Sequence, residues 1–264
     1  MSNIYSTIKV QTTNSIVTVN LARADRHNAF DQVMIRELTV AFTALNDRRD
    51  ITSVVLRGDG KSFCSGADLG YMKAQSAFTL DENEADAQQL FGMFWTLRSC
   101  PHPLIGRVHG NVMGGGVGLT AVCDVVAAVD GTKFCFSEVK LGLAPAVISP
   151  FVLERMSVPQ ARRYMLTGEL FETNVALASG LVHFVGGENE ADVFVNKLAA
   201  QLTQNGPEGM RATKGLLRAM SEIEDWDQRR DLTTRLIAER RTSAEGQEGL
   251  RSFLEKRTPN WRVN

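Results

Sequence analysis

Cysteine is scarce in this sequence, and its few copies are not paired. Cys64, Cys100, Cys123 and Cys135 form no C-x-x-C and keep no metal-ligand spacing with His27, His102, His109 or His183. That excludes a zinc-ribbon type of centre, so no metal is expected, and it fits reduced thiols in a cytoplasmic protein. An excess of charge of one sign is also missing. The 29 Lys+Arg and 30 Asp+Glu residues leave a formal net charge of -1, with a sequence pI of about 6.4. Neither nucleic acid nor an anionic membrane surface is therefore an expected partner. No apolar run approaches the ~18–20 residues that span a bilayer. The opening MSNIYSTIKVQ has no basic stretch leading into an apolar one, and it reads as the start of a strand rather than a leader. There is no internal repeat and no low-complexity segment. A phosphate loop is lacking too: Gly60-Lys61-Ser62 ends like one, but the earlier glycine it needs would fall at Val55.

The chain has 264 residues, 44% hydrophobic and 22% charged, enough for one substantial core or a core with a smaller appended part. Residues 4–23 alternate apolar and polar around Thr-Thr-Asn-Ser, as a hairpin does. Met34, Leu38, Phe42 and Leu45 form a helical stripe, and Val54–Gly58 reads as a buried strand. Residues 75–83 are polar and weakly patterned, which predicts a loop or a frayed helix. A helix through Leu90, Phe91, Phe94 and Leu97 should stop at Pro101 and Pro103. Strands follow at Leu104–Val108, Asp124–Val129 and Lys133–Phe136, and from about Pro150 almost everything reads as helix. The pattern predicts an α/β domain over 1–200 with a helical C-terminal region over 201–264.

The stretch MGGGVGLTAVCD (Met113–Asp124) follows a strand and opens a helix, and it admits three readings. As Gly116-x-Gly118-x-x-Ala121 it matches a dinucleotide fingerprint, but the next strand begins at Asp124, too soon for the usual crossover. The glycines could simply permit a tight turn and close packing. Alternatively, the unpaired N–H groups at the helix start could stabilise an oxygen that gains negative charge. A second donor for such an oxyanion hole is available in FCSGADL (Phe63–Leu69), another small-residue loop after a strand.

Taken together, SFCSGADLGYM, VHGNVMGGGVGLTAVCDVVAA and FSEVKLGL, with LARADRHNAF before them and EGLRSFLEKRTPNW at the end, resemble the enoyl-CoA hydratase/isomerase family, the crotonases. The resemblance covers nearly the whole chain. It implies a crotonase-like spiral of ββα units with a C-terminal helical trimerisation region, assembled as a homotrimer or a hexamer. It also implies an acyl-CoA substrate, whose coenzyme A is part of the substrate rather than a separate cofactor. By position, the backbone N–H groups of Ala67 and Gly115 would form the oxyanion hole.

Two-carboxylate hydratases of the family carry glutamates at the positions of Gly118 and Glu138, so here only Glu138 is left as a general acid/base. The stretch SEVKLGLAPAVISPFV and Gly118 look most like the bacterial 3-methylglutaconyl-CoA and isohexenylglutaconyl-CoA hydratases. This implies hydration of a branched glutaconyl-type 2-enoyl-CoA. The alternatives are a Δ3-Δ2-enoyl-CoA isomerase or a non-catalytic CoA-thioester binder. The resemblance further points to Arg26, Ser65, Gly66, Ala67, Asp68 and Leu69 along the coenzyme A. Tyr71, Gly114 and Gly118 would flank the acyl end, and Phe253 and Lys256 would reach a neighbouring subunit's ligand. Lys140, two residues beyond Glu138, would share its face if the strand continued.

Overall fold

The computed structural model describes residues 5–262, so the first residue of the expected hairpin, Ile4, and the last two of the chain lie outside the described residues. β1 (Ile8–Thr13) and β2 (Ile16–Leu21) pair antiparallel about Asn14, which takes the left-handed backbone such a turn requires (φ 55°). α1 (Gln32–Leu45) follows, capped by Asp31, whose side chain accepts the Met34 N–H at 2.8 Å. It buries Met34, Ile35, Leu38, Ala41, Phe42 and Leu45. β3 (Ser53–Gly58) and β4 (Leu104–Val108) are covered on both faces, and for that reason apolar residues follow one another in Val54-Val55-Leu56 and Leu104-Ile105 instead of alternating with polar ones.

Between those strands lie α2 (Leu69–Gln75) and α3 (Leu80–Ser99). The segment expected to be a loop therefore contains the end of one helix and the start of another. α3 is opened by a capping box of Thr79 and Glu82, and its first turns face solvent, so they show no apolar period. β5 (Asn111–Met113), α4 (Gly115–Ala121), β6 (Val125–Val129) and β7 (Lys133–Cys135) follow. After them come α5 (Ser149–Leu153), α6 (Val158–Thr167), β8 (Phe171–Glu172), α7 (Thr173–Ala178), β9 (Phe184–Gly186) and α8 (Glu188–Leu202). β8 and β9 interrupt the expected helical stretch; strands of two and three residues are too short to show a period in sequence.

The strands form a six-stranded sheet in the order β1-β2-β3-β4-β6-β9, parallel from β2 onward, and a three-stranded sheet β5-β7-β8. Two isolated parallel bridges, Phe30 with Ala67 and Cys64 with Val112, extend the smaller sheet's layer back along the chain. Each turn of the chain thus places one strand in the large sheet, a short extended segment in the second layer, and a helix behind it. This is a crotonase-like α/β spiral. The main apolar cluster fills the space between these layers. Ala191, Val195 and Ala199 of α8 cover the outer face of the large sheet at Val55, Ile105 and Ala127.

The chain ends in α9 (Pro207–Glu222), α10 (Trp226–Thr242) and α11 (Ala244–Leu254). Lys214 ties α9 to the body by donating to Asp124 Oδ2 at 2.6 Å and to the His102 carbonyl at 2.9 Å. Among the described residues, α10 buries none of its own and α11 only Ser252, while Leu217, Trp226, Leu250, Phe253 and Leu254 stand exposed. No helix of the described residues is long and apolar enough to cross a membrane.

Candidate active site

The first donor loop is built by the bridge between Phe30 and Ala67. The Phe30 N–H donates to the Gly66 carbonyl and the Asp68 N–H donates to the Phe30 carbonyl, both at 2.7 Å. These bonds bracket Ala67 and leave its own N–H on the far side of the strand, without an acceptor among the described residues. Ala67 is exposed. Gly66 holds a left-handed backbone (φ 91°), and a Cβ there would lie 3.1 Å from the Met113 carbonyl oxygen. Only glycine suits both conditions. Asp68 then caps α2 by accepting the Gly70 N–H at 2.8 Å.

The second loop lies directly against the first. The Met113 N–H donates to the Cys64 carbonyl at 2.9 Å, and the Gly114 N–H to the Cys135 carbonyl at 2.8 Å. Gly114 turns the chain (φ 49°) into α4, whose first N–H, that of half-buried Gly115, has no acceptor among the described residues. On the other side, a Cβ on Gly114 would stand 3.0 Å from Glu138 Oε1. The Glu138 carboxylate therefore abuts the residue next to the Gly115 donor.

Glu138 does not end a strand; it opens a 3-10 turn, Glu138–Leu141. Its Oε2 is sealed from solvent with no hydrogen-bond partner among the described residues. Burial raises its pKa above the usual carboxylate value, while its own backbone N–H pulls the other way. The turn also corrects the placement of Lys140. Because the extended geometry stops, Lys140 does not share Glu138's face, and its Nζ lies 4.0 Å from Cys135 Sγ.

Gly118 stands apart from the other glycines of the run. It is buried, and a Cβ there would meet Ile148 Cγ2 at 2.6 Å and Phe94 Cε1 at 2.9 Å. The space a side chain there would need is already filled by the apolar Ile148 and Phe94. Tyr71 is half-buried, and its hydroxyl donates to Asp86 Oδ1 at 2.5 Å. Asp86 is itself buried and also accepts from Gln75 at 2.7 Å and Gln32 at 3.4 Å. Burial and the adjacent carboxylate push the Tyr71 phenol well above its usual range.

Ser65, Gly66, Ala67, Asp68, Leu69, Gly114, Gly115 and Glu138 come together around the two loops. Arg26 does not join them through any bond of its own; it is exposed on a 3-10 turn, Ala24–Arg26, 3.7 Å from Asp25. Phe253, 82% exposed, lies near the end of α11 and Lys256 in the turn just after it, with α11 packed on α9 and α10 of the same chain. A concavity of about 1130 Å³ lies between those helices and the body, and none of its lining residues belongs to the glycine loops.

Sequence reasoning missed several residues here. Arg23 bridges Asp31 at 3.0 Å and Asp68 at 3.1 Å and donates to the Ala29 carbonyl at 2.5 Å, clasping the first loop. Its signal lies in LARADRHNAF, the same stretch that holds Arg26. Asp86 gave a weaker signal, the last of four acids in Asp81–Asp86, four residues before the apolar face of α3 begins at Leu90. All four thiols are buried and free, with those of Cys64 and Cys123 pushed up to about 12 by burial, so neither is a nucleophile at neutral pH.

Two backbone donors held by adjoining loops, with a desolvated carboxylate beside them, are an arrangement chemically able to hold an oxyanion and move a proton. Residues 11–264 match the enoyl-CoA hydratase/isomerase family. The chain belongs to that family. Among solved structures, an enoyl-CoA hydratase from Shewanella pealeana is 37% identical with a TM-score of 0.93, over 97% of this chain and 96% of that one. Pseudomonas aeruginosa AtuE is 33% identical with a TM-score of 0.94, over 98% of this chain and 100% of that one. The 2,3-dehydroadipyl-CoA hydratase of Escherichia coli is 27% identical over 252 residues, 94% of this chain and 95% of that protein.

Proposed function

We propose that this protein hydrates a 2-enoyl-CoA thioester, with Glu138 as its single acid/base. The observation that carries the reading is the unpartnered, buried Oε2 of a carboxylate whose other oxygen abuts Gly114. The thioester oxygen accepts from the Ala67 and Gly115 N–H groups, which stabilise the enolate-like charge as water adds to the β-carbon. Glu138 takes a proton from that water and returns one to the α-carbon. A raised pKa suits the task, since the group must be a usable base and, once protonated, a usable acid near neutral pH. Coenzyme A runs past Arg26 and the Ser65–Leu69 strand, Tyr71 flanks the acyl end, and Phe253 and Lys256 come from a second copy in a trimer or hexamer. No separate cofactor enters this scheme.

For the acyl group we favour a branched glutaconyl type. The segment Ala144–Pro150 delivers Ile148 into the space before Gly118, making an apolar wall where a second carboxylate would otherwise stand. A relative named for a dehydroadipyl thioester shows that a distal carboxylate on the acyl chain occurs among proteins similar to this one. The same wall favours one rival: a lone carboxylate suffices to shuttle a proton between carbons in Δ3-Δ2 isomerisation. A panel of crotonyl-, 3-methylglutaconyl- and 3-enoyl-CoA in ¹⁸O-water separates the two readings. Hydration with label incorporation is expected, fastest on 3-methylglutaconyl-CoA, and lowered about 10²–10⁴-fold in Glu138→Gln. Equal rates in wild type and variant would remove Glu138 from the mechanism. Conversion of the 3-enoyl-CoA without label would make the protein an isomerase.

A further inference from the structure

We propose that Phe30 is a positioning residue that sets the separation of the two oxyanion donors, its backbone gripping the Ala67 strand while its ring is wedged against Gly115. The inference rests on the oxyanion reading above. Two sets of contacts meet in this one residue. Its N–H and carbonyl make the pair of 2.7 Å bonds that bracket Ala67, so the orientation of the Ala67 N–H follows the position of the Phe30 backbone. Its ring edge lies in the space a Gly115 side chain would occupy, with Cδ2 3.1 Å from where a Cβ would be.

The residue itself has little freedom. Phe30 is 2% exposed, and its ring meets Phe94 edge-on at 6.1 Å between centroids. Phe94 in turn backs Gly118 on the same helix as Gly115. On the backbone side, Arg23 holds the carbonyl of Ala29 and the carboxylate of Asp31, the residues before and after Phe30. The same guanidinium holds Asp68, the residue after Ala67. The chain from Ala67 through Phe30 to Gly115 is therefore a rigid strut whose length the ring fixes. Displacing one donor by about 1 Å is enough to cost on the order of a hundredfold in rate.

The test uses Phe30→Leu and the milder Phe30→Met in the full-length protein. Phe42→Leu is the control, because Phe42 is equally buried in the same cluster but sits on α1, twelve residues beyond the Phe30–Ala67 bridge. Two quantities are measured below the melting temperature: kcat and KM on crotonyl-CoA, and the carbonyl stretch of bound [1-¹³C]butanoyl-CoA, a thioester that cannot be hydrated. Phe30→Leu should lower kcat about 10–100-fold with KM within threefold, and shift the carbonyl stretch back toward its free value. Phe30→Met should fall between it and wild type, and it carries the test if Phe30→Leu does not fold. Phe42→Leu should lose thermal stability while keeping kcat within twofold and the wild-type carbonyl frequency. If the Phe30 variants match Phe42→Leu in kcat and frequency, Phe30 is only a core residue and the proposal falls alone. If wild type itself leaves the bound carbonyl stretch at its free value, the oxyanion reading falls, and this proposal with it.

Discussion

Glu138 sits in the folded chain with Oε2 sealed from bulk solvent and without a hydrogen-bond partner among the described residues, and that isolation affects stability as well as chemistry. Its folded pKa is raised above the unfolded value near ~4.3. Between those two values the folded state keeps a proton that the unfolded state has released, so stability falls as pH rises through that window and stays lower above it. Replacing Glu138 with Gln removes the titration. The variant should melt at about the same temperature as wild type near pH 4 and at a higher temperature at pH 8, while being the less active protein at both. A melting-temperature difference that stays flat from pH 4 to 8 would mean the native carboxylate is well solvated. Gly118 shows the opposite case, where the side chain that is absent leaves room for Ile148 and Phe94. Sequence alone shows that a carboxylate is missing there; that the space is closed by a residue thirty positions later depends on tertiary packing.

Residues 75–83, weakly patterned in sequence, join α2 to α3, and that pair of helices is pinned by one buried acid. Asp86 accepts from Tyr71, Gln75 and Gln32, which joins α2, α3 and the start of α1. Removing the shared acceptor leaves three donors short of a partner in a half-buried place. Hydrogen bonds to a charged group are worth ~1.5–3 kcal/mol each. Asp86→Ala should therefore destabilise the protein by about 3 kcal/mol and speed amide exchange in α2 more than in α1. Denaturant melts and hydrogen exchange read both, and exchange that rises equally everywhere would show that Asp86 serves only global stability.

These helices also show where sequence reasoning stops. β2, β3, β4 and α1 were legible because burial on one or both faces leaves a period of two, consecutive apolar residues or a helical stripe. The Ala67 and Gly115 loops were legible through their glycines and Glu138 through its motif. The solvent-facing start of α3, the two-residue β8 and the Asp86 cluster were not, because each depends on partners far away in sequence. The capping pair Thr79 and Glu82 was the one local sign of α3 that could have been read.

At the scale of the whole molecule, the C-terminal helices leave several large apolar side chains uncovered. Leu217, Trp226, Leu250, Phe253 and Leu254 are all exposed, and the 1130 Å³ groove between these helices and the body is lined by Met210, Leu216, Leu236 and Trp261 among others. Sedimentation at micromolar concentration should give a trimer or hexamer, and a monomer there would contradict the assembly proposed above. The spiral has one more consequence. Phe30, Ala67, Gly115 and Glu138 come from four successive turns of the chain, each delivered by the segment that follows a strand of the large sheet. No early, local piece of structure contains even half of the site. Pairings this distant form late, because closing long loops must precede them. Recovery of turnover after dilution from denaturant should therefore lag behind recovery of helical ellipticity, and the enzyme's own activity becomes the clock for the final winding of its chain.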